Sequence, residues 1–76
     1  MKKGVNLPLQ MDPQKFAEHL QRRFGSAEKI AAELRVPLWR VRLWEHGGDI
    51  YPEQLFRLAD ALRCPMLSLL PDDFNG

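Results

Sequence analysis

The sequence holds a single cysteine, Cys64, so no internal disulfide can form, and the reducing cytosol is the expected compartment. No basic-then-apolar leader of the secretory kind is visible at its start. No apolar run approaches the roughly 18 residues that a bilayer demands, because Arg57, Asp60 and Arg63 break up the longest stretches; no membrane partner is expected. His19, His46 and Cys64 stand apart, without the short paired spacings of a zinc site, which argues against a metal. A phosphate-cradling glycine loop, a Ser/His/Asp set and a paired-acid motif are equally missing. With 76 residues there is room for one small domain and little core to spare for a strained catalytic cleft. An enzyme is therefore not expected, nor a cofactor, nor a small-molecule substrate.

Net charge is low as well, +1, but it is unevenly spread. Residues 1–46 carry nine Lys/Arg against five Asp/Glu, a net +4, whereas residues 47–76 carry two against five, a net −3. Such a division suits one face for an anionic partner and another that avoids it.

The apolar residues, 45% of the chain, are arranged at helical spacing. Residues 1–11 come first, a flexible arm or a short extended segment in which Pro8 argues against a central strand. Asp12-Pro13 then reads as a cap and first turn, and Phe16, Leu20 and Phe24 share one face until Gly25. Ser26 caps a second helix bearing Ile30, Ala31 and Leu34, and Pro37 or Leu38 opens a third that stops at Gly47-Gly48. Pro52 opens a fourth with Leu55, Leu58, Ala59 and Leu62, closed by Cys64-Pro65; a short turn at 66–70 and an acidic tail at 71–76 follow. The expected fold is all-α, a compact bundle of four to five short helices, with Val36, Val41 and Trp44 completing the core.

Two short helices joined by a tight turn form a helix-turn-helix. In residues 26–47 the Ser26 cap is followed by Ile30, Ala31 and Leu34, then by Val36 at the end of the turn. Val41 and Trp44 lie on the second helix, which closes with Glu45-His46-Gly47. This segment resembles the helix-turn-helix of the phage repressor and Cro-like (Xre-type) transcriptional regulators, and the likeness runs over residues 14–70. The resemblance implies a lambda repressor-like domain over 12–70, with helix three entering the major groove. Two positions depart from the family: Arg35 stands where a turn glycine is usual, so it is either left-handed or part of a different turn, and Trp39 and Leu43 occupy a face that usually carries small polar residues.

At about 100° per residue, Val41 and Trp44 face inward, so Trp39, Leu43 and His46 project outward, flanked by Arg40 and Arg42. Arginine can bind guanine or phosphate, and apolar groups can touch the thymine methyl. Ser26 and Ala27 would offer helix N–H groups to a phosphate, Pro37 and Leu38 begin the reading helix, and Tyr51 would approach the backbone. Lys2 and Lys3 form a candidate arm along the DNA, or a solvated tail. The resulting expectation is a double-stranded DNA-binding regulator, a repressor acting as a homodimer, with Val5, Leu7, Leu9, Met66, Leu67, Leu69, Leu70 and Phe74 as candidate dimer contacts. The alternative is a protein partner on the Trp39 and Leu43 face, as in an antitoxin or phage-encoded adaptor.

Overall fold

Asp12 adopts an extended backbone and its carboxylate accepts from the backbone N–H groups of Gln14 and Lys15, which with Pro13 in the first turn starts helix α1, Pro13–Arg23. Gly25, at φ 87°, turns the chain out of it. Ser26 repeats the device: its hydroxyl accepts from the Lys29 N–H and begins α2, Ala27–Leu34. Pro37, with no side-chain cap to offer, precedes α3, Leu38–Glu45. Tyr51 and Pro52 start α4, Pro52–Leu62, and a 3-10 helix, Met66–Leu69, follows Pro65. The structure is a computed structural model that describes residues 7–72.

The fold is mostly helical, yet the all-α expectation needs one correction. Leu9–Gln10 forms a strand, β1, antiparallel to β2, Asp49–Ile50, with Leu9 opposite Ile50 and Gln10 opposite Asp49. The Met11 N–H extends the contact by donating to the Gly48 carbonyl, and Asp12 N–H donates to Leu69. The segment before α1 is therefore paired, and Met11 itself is buried. Lys2, Lys3, Val5 and Phe74 lie outside the described residues.

One core gathers Phe16 and Leu20 of α1, Ile30 and Leu34 of α2, Val41 and Trp44 of α3, and Leu55, Leu58 and Leu62 of α4. Each fully buried side chain of this size contributes about 1.5–3 kcal/mol relative to exposure. Phe16 and Trp44 meet edge to face, with ring centroids 6.4 Å apart. Phe24 and Val36 are only half-buried at its margin, whereas Ile50, Leu69 and Leu70 are fully inside. Leu69 and Leu70 are thus core residues and are withdrawn as dimer contacts; Lys15 fastens this segment by donating to the Leu70 carbonyl.

Two devices set the ends of α2 and α3. Arg35 is left-handed at φ 60°, ψ 42°, so the chain makes the turn that glycine usually makes, with the Val36 N–H returning to the Ala31 carbonyl. The Arg57 guanidinium reaches from α4 to the exposed end of α2 and donates to the Leu34 carbonyl at 3.0 Å.

Candidate nucleic-acid interface

α3 is apolar on two sides. Val41 and Trp44 anchor its inner side at 0% and 1% exposure, which fixes what the outer side must present. Trp39 is 62% exposed and Leu43 44%, with Arg42 and His46 also exposed and Arg40 half-exposed. The Arg40 guanidinium lies over the Trp39 ring, 5.1 Å from its centroid, so the indole holds a cation at the surface.

Trp39, Arg40 and Leu43 line one shallow groove of about 250 Å³ with Tyr51, Asp49 and Gln54. Gln54, on the first turn of α4, carries no periodic mark that would single it out, whereas Asp49, close to Tyr51 in sequence, is a carboxylate that would repel a backbone phosphate. Gly48 explains why Leu43 lies where it does. A Cβ at Gly48 would come within 2.5 Å of the Leu43 Cγ and 2.8 Å of its carbonyl oxygen, so only glycine lets the chain pass beneath this leucine.

The other expected contact residues take different places. Ser26 is half-buried and its hydroxyl is spent on capping the Lys29 N–H, Ala27 is buried, and the first-turn backbone N–H groups not used by the cap are what this end of α2 has left as donors. Leu38 packs against the core, Pro37 is exposed at the start of α3, and neither lines the groove. His46 ends α3, outside the groove.

Electrostatics divide the face. Arg42 donates to Glu28 of α2 at 3.4 Å and to Glu45, one turn along α3, at 3.5 Å. Arg42 and Glu28 are largely accessible to water and Glu45 is partly so, and both contacts are long, so the pairs are weak and exchangeable. Glu28 complements the positive end of α2 and, for the same reason, opposes a phosphate there. Glu28 and Arg42 are 14 residues apart, beyond the reach of any helical repeat.

Among the described residues, no three His, Cys, Asp or Glu side chains gather in a way that could hold a metal ion, and no helix is long and apolar enough to cross a membrane. No protein-family model, curated protein or solved structure matches the chain.

Proposed function

We propose that this chain is a non-catalytic, sequence-specific double-stranded DNA-binding regulator in which α2 and α3 act as a helix-turn-helix similar to that of phage repressors and Cro-like proteins. The observation that carries the proposal is the outer side of α3: Trp39, Arg42 and Leu43 stand exposed, with Arg40 half-exposed beside them, on a helix that Val41 and Trp44 anchor in the core. Trp39 and Leu43, one turn apart and lining one groove, form a contiguous apolar patch rather than scattered single residues, and such a patch marks a partner site. In the major groove Trp39 and Leu43 would meet thymine methyl groups and the arginines would meet guanine or phosphate. Arg42 would exchange its two carboxylates for DNA, and N–H groups at the start of α2 would meet the backbone.

With few cations per copy, useful affinity requires two half-sites about 34 Å apart, hence a homodimer on a pseudo-palindromic site, and repression follows by occlusion of a promoter. Leu7, Leu67 and Phe56 are the large apolar side chains left exposed for such a contact. A protein partner on the Trp39 face is the alternative, favoured by the aromatic groove and by the carboxylates that already hold Arg42.

Selection from a random duplex pool, followed by anisotropy titration of the enriched site at several salt concentrations, separates the two. The expected result is a two-fold-related motif and a steep fall of affinity with salt. Absence of enrichment, with weak binding equal across sequences, would overturn the DNA assignment in favour of the protein partner.

A further inference from the structure

α4 starts beside the Trp39 groove and ends at Arg63, eleven residues or about 16 Å away. At that far end Arg63 joins His19, Arg22 and Arg23 of α1 around a second groove, of about 380 Å³, lined also by Leu62 and Pro65. No carboxylate lines it, and among the described residues none of its three guanidinium groups has a carboxylate within 4.0 Å. Glu33 and Asp60 lie on the adjoining groove, which shares Arg23 and Arg63. Three of the eleven Lys and Arg of a chain with net charge +1 are thus concentrated in one place.

Helix dipoles account for part of this. Arg22 and Arg23 occupy the last turn of α1, where cations complement the carbonyl end. Arg63 likewise stands at the carbonyl end of α4, but its backbone is left-handed at φ 58°, ψ 45°, a position where glycine would close the helix without strain. Arg35 is left-handed in the same way, but it lies outside this groove.

We propose that the groove binds a small polyphosphate anion, of which pyrophosphate is the simplest, with Arg63 completing its cationic lining. Guanidinium forks donate paired N–H bonds to phosphate oxygens, so three of them beside an imidazole match a compact anion of three to four charges. The groove is also within the range of about 300–1,000 Å³ usual for small-ligand sites. The site lies at the other end of α4 from the proposed DNA-reading groove and does not depend on that assignment.

Thermal unfolding of the whole chain with millimolar pyrophosphate, against sodium chloride of equal ionic strength, tests it. Pyrophosphate at ten times its Kd is expected to raise Tm by roughly 5–10 °C. Arg63→Gly should raise the basal Tm by relieving the backbone and abolish the pyrophosphate shift. Arg35→Gly should also raise the basal Tm but keep the shift, and so should the double variant Arg40→Ala/Arg42→Ala keep it. A wild-type response no larger than that to chloride, or a full shift in Arg63→Gly, would overturn the proposal. Loss of the shift in the Arg40/Arg42 variant would place the anion on the α3 face and overturn it too. So would a duplex whose binding needs Arg63 while pyrophosphate binding does not.

Discussion

α3 and α4 lie in the same core and differ in what faces away from it. α4 buries Leu55, Leu58, Ala59 and Leu62 and presents Glu53, Arg57 and Asp60 outward, with Phe56 as the one large apolar exception. α3 buries Val41 and Trp44 just as completely but presents Trp39 and Leu43 outward. Burial accounts for the pattern of α4 almost residue by residue, whereas it accounts for only half of α3. What remains on α3 after the core is satisfied is the part of the chain that folding does not require, and function is best sought there.

Substitutions on the two helices sharpen this contrast. The largest effect is expected from Trp44→Ala, which empties the centre of the core and should cost about 3–5 kcal/mol, leaving the domain largely unfolded in circular dichroism at room temperature. Gly48→Ala comes next. Its new methyl collides with Leu43, and urea titration should find a loss of about 1–3 kcal/mol, partly recovered in the double variant with Leu43→Ala because the carbonyl contact persists. Arg57→Ala removes the donor at the end of α2 and should cost about 1 kcal/mol by the same titration. Trp39→Ala should shift stability by about 0.5 kcal/mol or less, since the ring is 62% exposed, while relaxing or abolishing discrimination in the selected duplex. A Trp39 variant that unfolds would make α3 another packing helix and erase the distinction from α4. Unchanged sequence preference would remove Trp39 from the reading set.

Much of the helical layout is legible in the chain. Asp12-Pro13, Ser26, Pro37 and Pro52 each mark a helix start, because capping and the fixed φ of proline act within a few residues. The inner faces follow from the 3.6-residue period, as at Val41 and Trp44. Leu69 and Leu70 were illegible for the converse reason: one turn of 3-10 helix has no period, and an apolar pair near a chain end reads equally well as surface. The Leu9–Ile50 pairing joins positions far apart in sequence through strands of two residues, too short for alternation to register. On the candidate interface, the outward position of Trp39, Leu43 and Arg42 could be read from the helical period. The Glu28 carboxylate that holds Arg42 from α2 and the gathering of Tyr51, Asp49 and Gln54 into the same groove could not.

The sequence by itself determined where helices begin and which faces turn inward, since caps, prolines and hydrophobic period are local interactions between neighbours along the chain. Tertiary structure alone decided that Arg35 and Arg63 are left-handed, that Gly48 passes under Leu43, and that His19, Arg22, Arg23 and Arg63 surround one groove. The caps and the Gly48 passage close within about one turn of chain, where the sequence leaves more than one local conformation open. The groove has no local code at all, because its groups lie on α1 and at the end of α4 and come together only when the shared core forms.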